Sequence, residues 1–287
     1  AKAAFLISDK ETESKVKIIT LASLRETAPQ SCLVLKEQDL ADTATIMYTS
    51  GTTGKPKAVK QTYGNHLFSA YGSVLNLGLG DNDKWLCTMP LFHISGLSIL
   101  FRSVIYGSPV VLHRQFDPRL ANQAIQTEGV TIMSVVSAML SRMLDDLGEA
   151  EYPESFRGML LGGGPAPMPL LKRSAEKGIR VFQTYGMTET SSQIATLAPE
   201  DAIRKIGSSG KPLFPCAISI WKEDREASAN EPGEIRVKGP NVTTGYLHGR
   251  GSESFRDGWF YTGDLGYLDE EGYLYMLDRR SDLIILL

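Results

Sequence analysis

The chain has 287 residues, with 30 Lys and Arg against 33 Asp and Glu, a formal net charge of −3, and 42% hydrophobic against 22% charged residues. That composition is globular and leaves room for one large domain or two ordinary ones, while the absence of a basic excess argues against a nucleic-acid partner. The longest apolar stretch, Met89 to Phe101, contains His93 and two serines and stops at Arg102, short of the ~18 residues of a membrane-spanning helix.

In chain order, residues before about Asp39 carry little periodic signal and read as part of a larger element cut at its start. From Thr43 to Gly186 strand and helix patterns alternate. Short apolar runs at Ala44–Tyr48, Trp85–Met89, Pro109–Leu112, Val130–Val136, Met159–Leu161 and Arg180–Gln183 predict buried strands. Thr62 is placed to cap a helix whose Leu67, Ala70, Tyr71 and Val74 share one face. Asp117-Pro118 predicts an N-cap with Pro at the first helical position, ending before Gly129, and Pro169 opens a helix that Gly178 closes. This alternation predicts an α/β fold with a largely parallel sheet flanked by helices.

After about Gly207 the texture changes to short strands punctuated by Gly and Pro: Ala217–Trp221, Glu234–Val237, Trp259–Thr262 and Tyr273–Leu277, with a turn at Asp269-Glu270-Glu271-Gly272. A small antiparallel β subdomain is expected there. Cys32, Cys87 and Cys216 are odd in number, widely spaced and form no CxxC pair. The start AKAAFLISDK has no long apolar core and no small-residue cleavage site. Both features fit a reduced, cytoplasmic protein. Asn241-Val242-Thr243 matches a glycosylation acceptor, a tripeptide that recurs by chance.

The most informative segment is Tyr48-Thr49-Ser50-Gly51-Thr52-Thr53-Gly54-Lys55-Pro56-Lys57. Its glycines let backbone N–H groups approach an anion, its hydroxyls donate to phosphate oxygens, and lysine adds a point charge. Two residues separate the glycines and Pro56 follows Lys55, so the Walker pattern is not met. The loop is expected to grip phosphates without opening a helix. There is no GxGxxG after a strand, no GxSxG and no HExxH.

This loop resembles the phosphate-binding signature of the adenylate-forming superfamily of acyl-CoA synthetases, luciferases and adenylation domains. Five further segments are similar to that family's motifs, in its order: Pro90-Leu91-Phe92-His93, Gly162-Gly163-Gly164-Pro165, Tyr185-Gly186-Met187-Thr188-Glu189-Thr190, Tyr261-Thr262-Gly263-Asp264 and Asp278-Arg279-Arg280-Ser281-Asp282. The resemblance runs from about Asp42 to Ile285. It implies an ATP-dependent acid–thiol ligase that makes an acyl-adenylate and then a coenzyme A thioester, with ATP, Mg²⁺ and coenzyme A as small-molecule partners.

The resemblance further implies a nucleotide site formed by Thr49, Ser50, Gly51, Thr52, Thr53, Gly54, Lys57, Gly162, Gly163, Gly164, Thr184, Tyr185, Gly186, Thr188, Asp264 and Arg279. His93, Thr188 and Glu189 would be catalytic, with Glu189 the Mg²⁺ ligand. In residue terms, Asp264 can accept from both ribose hydroxyls or shape a turn, and Arg279 can hold ribose or phosphate or form a surface ion pair. Tyr185 offers a π face to adenine or a packing surface. The layout implied is 1–40 a remnant of an N-terminal subdomain, 41–206 the nucleotide- and acyl-binding subdomain, 207–280 the β subdomain, and 281–287 a hinge without its C-terminal domain. Leu286-Leu287 replace the family's turn, and Ala58 replaces its usual Gly, tolerably if the backbone there is extended.

Two positions bear on the acid. His93 stands where amino-acid-activating relatives carry an Asp for the substrate ammonium, which disfavours an amino acid. Arg102 lies nine residues later in a helical, otherwise apolar stretch. If buried, its guanidinium needs an anion such as the second carboxylate of a dicarboxylic acid; if not, it faces solvent beside Ser98. The phrases HISGLS, LLGGGPAP and YGMTETSSQ are similar to the branch of the superfamily that takes an aromatic dicarboxylic acid, with Ser191, Ser192, Gln193 and Thr196 finishing a polar acyl pocket.

Overall fold

A computed structural model of the chain describes residues 5–9, 13–26, 37–49, 56–164, 166–249 and 251–279, with the backbone alone at 278 and 279. Contacts divide it into two units, residues 1–39 and 40–287. The first contains a parallel pair of strands, β1 (Phe5–Ser8) and β2 (Lys17–Thr20), followed by the short helix α1 (Leu21–Glu26).

The second unit begins with β3 (Thr43–Thr49) and β4 (Lys57–Thr62), an antiparallel pair with Thr49 opposite Lys57. The sequence reading placed the first of these in the parallel sheet. Instead the few residues between Thr49 and Lys57 return the chain directly beside itself, a connection too short for a parallel crossover. The segment after the glycine loop is a strand, so the loop opens no helix, as expected, and Ala58 is buried in extended backbone opposite Tyr48.

Helix α2 (Tyr63–Leu77) starts at Thr62, whose hydroxyl accepts from Asn65 N at 3.0 Å while Asn65 Oδ1 accepts from Thr62 N at 2.9 Å, a reciprocal capping box. Its buried face coincides with the predicted apolar one only at Ala70, with Leu67 and Val74 half-buried. Asn65, His66, Ser69, Ala70, Ser73 and Leu77 face inward, and Tyr71 is exposed. Polar side chains line this face because they satisfy carbonyls of other segments: Asn65 Nδ2 donates to Pro240 O and Val242 O, and Ser69 Oγ to Ser191 O.

The main sheet follows: β5 (Trp85–Cys87), α3 (Ile94–Tyr106), β6 (Val110–Leu112), α4 (Pro118–Thr127), β7 (Ile132–Val135), α5 (Ser137–Leu147), β8 (Gly158–Leu161), α6 (Met168–Glu176), β9 (Val181–Met187), β10 (Ser192–Thr196) and β11 (Lys211–Pro212). Its strand order is β11-β10-β9-β8-β7-β5-β6, parallel from β6 through β9 and antiparallel at the β10–β11 edge. Alternate residues serve opposite faces. Leu86, Met133, Val135, Met159 and Leu161 pack with side chains of α4, α5 and α6, whereas Trp85, Cys87, Ile132, Leu160 and Phe182 pack with Leu77 of α2 and Ile99 of α3. Coverage on both faces is why these strands read as unbroken apolar runs.

The remaining strands are β12 (Ala217–Lys222), β13 (Arg225–Glu226), β14 (Gly233–Lys238), β15 (Phe255–Arg256), β16 (Trp259–Leu268) and β17 (Leu274–Arg279). They form an antiparallel sheet around Ile218, Ile220, Ile235, Val237 and Phe260. The architecture is therefore the expected α/β sheet with an antiparallel companion. Among the described residues no helix is long and apolar enough to cross a membrane.

Gly210, at φ +82°, joins the two sheets where a Cβ would lie 2.0 Å from the carbonyl carbon of Thr196. Gly107, at φ +68°, has open space around it. Gly107→Ala is expected to cost only the left-handed penalty of ~1–2 kcal/mol, and Gly210→Ala clearly more. Unfolding midpoints in urea check this; equal losses would contradict it.

Candidate functional site

In a sheet of this kind the carboxyl ends of parallel strands open toward ligands, above all where the strand order reverses. Here the chain runs from β5 to β6 on one side and resumes with β7 on the other. His93 follows β5, Gly162 to Gly164 follow β8, and Thr188-Glu189 follow β9. The motifs singled out in the sequence thus leave the same edge of one sheet.

The turn between β9 and β10 is the most heavily held part of that edge. Ser191 and Ser192 have φ of +51° and +103°, a conformation disfavoured for residues with a Cβ. Close approach is built in: a Cβ on Gly186 would lie 1.8 Å from Ser192 O. Gln61 Nε2 donates to Thr188 O at 2.7 Å, Thr243 N to Glu189 O at 2.7 Å, and Asn241 Nδ2 to Thr190 O and Gln193 O at 3.0 and 2.8 Å. Asn241 is buried in this role, which removes it as a glycan acceptor. Glu189 is buried as well, its Oε1 accepting from Tyr246 Oη at 2.8 Å.

Behind this turn sits His66. Thr45 Oγ1 donates its single proton to Gln61 Oε1 at 2.7 Å, so His66 Nε2, 2.9 Å from Thr45 Oγ1, must donate to it. The imidazole is neutral: burial lowers its pKa to about 4. Its ring stacks on Phe101 at 3.9 Å.

Arg102 is buried, 2% exposed, which decides between the two readings of α3. Its Nη2 lies 3.3 Å from Ser192 Oγ, Ser98 Oγ is 3.4 Å from the same hydroxyl, and the guanidinium sits 5.3 Å over the Trp85 ring. Its Nε has no partner, and among the described residues no carboxylate pairs with it. Burial lowers its pKa, with the Tyr106 hydroxyl opposing. Ser191 Oγ and Gln193 Oε1, on either side of Ser192 in the chain, are buried and unpartnered too.

Elsewhere the predicted residues divide. Thr49 and Lys57 are half-buried at facing ends of β3 and β4, while Ser50, Gly51, Thr52, Thr53 and Gly54 lie outside the described residues. His93 is exposed at the N-cap of α3, its ring 4.5 Å from Phe92. Tyr185 is packed in the core of the antiparallel sheet and donates its hydroxyl to Asp264 Oδ2 at 2.8 Å. Arg279 is in register with Asp264 across β16 and β17.

Gly163 and Gly164 have φ of +89° and +145°, and Gly164 borders a cavity of about 340 Å³. Thr184, Met168, Ile206, Tyr267, Tyr275 and Met276 also line it. All of these but Thr184 were missed in the sequence. Tyr267 and Tyr275 are register partners with stacked rings 5.1 Å apart, a pairing that period-2 alternation about the Asp269–Gly272 turn would have revealed. Gln61, Asn241, Thr243 and Tyr246 were missed because nothing local marks a hydrogen bond spanning tens of residues.

Comparison with known proteins places this geometry. The family model described as AMP-binding enzyme matches residues 2–247. The chain is 58% identical to 2-succinylbenzoate–CoA ligase of Geobacillus sp. (strain WCH70), over 99% of this chain and 59% of that protein. Its structure superposes with a TM-score of 0.92 on o-succinylbenzoate CoA synthetase (MenE) from Bacillus subtilis in complex with the acyl-adenylate intermediate OSB-AMP, at 52% identity, covering 99% of this chain and 60% of that one. The same enzyme in complex with ATP and magnesium ion gives a TM-score of 0.91 at 52% identity, over 99% and 61% of the two chains. The chain thus spans about three fifths of the length of these relatives.

Because His66 binds its proton less readily when folded than its ordinary 6.5, the unfolded chain takes up that proton first as pH falls. Its contribution is whole above about pH 7 and lost between 6.5 and 4, roughly 3 kcal/mol in all. Unfolding free energies of the unaltered chain and His66→Gln across that window check it. The variant should lack this component; identical pH dependence would contradict the assignment.

Proposed function

The chain belongs to the AMP-binding enzyme family, and on that premise we propose that it forms the nucleotide- and acid-binding body of an ATP-dependent acid–thiol ligase acting on 2-succinylbenzoate. The substrate carboxylate attacks the α-phosphorus of ATP and displaces pyrophosphate, giving an acyl-adenylate. The coenzyme A thiol then attacks the acyl carbon and displaces AMP. The first step is in-line transfer at phosphorus, in which positioning and charge neutralisation carry the catalysis and no protein nucleophile is needed.

The observation that carries the choice of acid is Arg102. A guanidinium this buried, facing two serines and lacking a carboxylate partner, calls for an anion from outside the chain. An acid with a second carboxylate supplies it, whereas a fatty acid does not. The similar proteins named above take such an acid, and the phrases around His93, Gly162 and Tyr185 support the same reading.

For the nucleotide, Gly162 to Gly164 and the adjoining cavity accommodate the base, and Asp264 takes the ribose hydroxyls with Arg279. Thr188, Lys57 and the loop from Thr49 to Gly54 bind phosphate. Among the described residues no group of three acidic, His or Cys side chains is arranged to hold a metal by itself. That fits Mg²⁺, which takes one or two carboxylates and fills its shell with phosphate and water oxygens; Glu189 is the carboxylate. When bound, the ion supplies neutralisation of phosphate charge. His93 stands at the acyl entrance, and Ser191, Ser192 and Gln193 line the acyl side with Arg102.

Calorimetric titration with sulfamoyl mimics of acyl-adenylates tests this. The o-succinylbenzoyl mimic should bind more tightly than a fatty-acyl one, and Arg102→Ala should weaken it by roughly 10- to 100-fold, as expected for a lost charged hydrogen bond. Preference for the fatty-acyl mimic, or indifference to Arg102→Ala, would overturn the assigned acid.

A further inference from the structure

Tyr246 occupies a position the reaction scheme leaves without a role. It lies after β14, 6% exposed, and touches both charged groups assigned to the phosphate end of the nucleotide. Its hydroxyl donates to Glu189 Oε1 at 2.8 Å, a direction fixed by the carboxylate's having only acceptors. The face of its ring lies 5.2 Å from Lys57 Nζ, within cation–π range.

The phenol is anchored independently of these contacts. Its backbone bridges to Val59 of β4, and Thr243, three residues earlier, bonds to Glu189 O and to Lys60 O. Gly251 gives the ring its space: a Cβ there would come within 2.8 Å of the ring and 3.3 Å of Lys57 Nζ. Phe255 meets the ring edge-on at 5.9 Å.

The consequence is electrostatic. A lysine and a glutamate converging on one site would ordinarily pair and cancel each other's charge. Among the described residues these two do not pair with each other. Resting on the reading above, we propose that Tyr246 is a positioning residue that keeps Glu189 and Lys57 apart, leaving the carboxylate for the divalent cation and the ammonium for the phosphates of a nucleoside triphosphate. The hydroxyl also fixes which carboxylate oxygen is committed within the protein, the kind of support that commonly changes metal affinity 10- to 100-fold.

The test is calorimetric binding of a non-hydrolysable ATP analogue to the full chain, with Mg²⁺ and with chelator, so that no turnover is needed. Tyr246→Phe removes the hydroxyl and keeps the ring. It should reduce the strengthening by Mg²⁺ about tenfold and leave chelator-bound affinity within about twofold. Tyr246→Leu removes both contacts and should weaken binding in chelator as well. In a Glu189→Gln background, Tyr246→Phe should have no further effect on the Mg²⁺ response.

A full Mg²⁺ response in Tyr246→Phe would overturn the proposal and leave the family reading standing, as would an equal loss in the Glu189→Gln background. No Mg²⁺ response in the unaltered chain would overturn the assignment of Glu189 and this proposal together. Melting temperatures of each variant, measured in chelator, separate these results from loss of folding.

Discussion

The turn from Thr188 to Gln193 is the constraint on which the rest of the site depends. It reverses the chain between β9 and β10 with two serines in positive φ, a conformation that costs of order 1–3 kcal/mol per residue and persists only where its surroundings impose it. Gln61, Asn241 and Thr243 impose it by hydrogen bonds to four of its backbone carbonyls. These residues come from the hairpin that carries the glycine loop and from the loop after β14. The turn therefore sets the position of Glu189 on one side and, on the other, of Ser192, whose hydroxyl meets Arg102.

That arrangement links Glu189 to Arg102, the two groups proposed to serve the phosphates and the acid, through one hydrogen-bonded segment. Ser69 and Asn65 of α2 bind the turn and the 240–242 loop, and α3 rests against α2 through the Phe101–His66 stack. A shift of the turn moves Ser192 against Arg102 and Glu189 against Tyr246 together. Buried polar groups on these helices are thus structural supports of the turn. Among the described residues the unpartnered buried atoms are Asn76 Nδ2, Thr88 Oγ1, His113 Nδ1 and Arg236 Nε as well as Arg102 Nε, Ser191 Oγ and Gln193 Oε1, and these last three belong to the turn or to the side chain that meets it at Ser192.

Much of this was legible in the sequence. The alternating strands and helices, the Asp117-Pro118 and Thr62 caps and the change of texture near Gly207 follow from local rules. The glycine loop read correctly as one that opens no helix, because Pro56 and the spacing of Gly51 and Gly54 forbid the Walker geometry. What failed was long-range. Thr43–Thr49 read as another parallel strand because an apolar run does not reveal its partner. The inner face of α2 was misjudged because apolar periodicity assumes an apolar neighbour, and this helix packs against carbonyls. Arg102 was ambiguous until α3 was seen between the sheet and the turn, and Tyr246 carried no local signal.

The central claim is that the held turn and the buried guanidinium together form the seat of a dicarboxylic acyl-adenylate. A crystal structure of the chain with the o-succinylbenzoyl sulfamoyl-adenosine mimic tests it most directly. The account predicts the adenosine beside Gly162 to Gly164 with its ribose on Asp264, and the free carboxylate within hydrogen-bonding distance of Arg102 or joined to it through Ser192. A mimic bound with its free carboxylate in solvent, and Arg102 still without an anion, would contradict it.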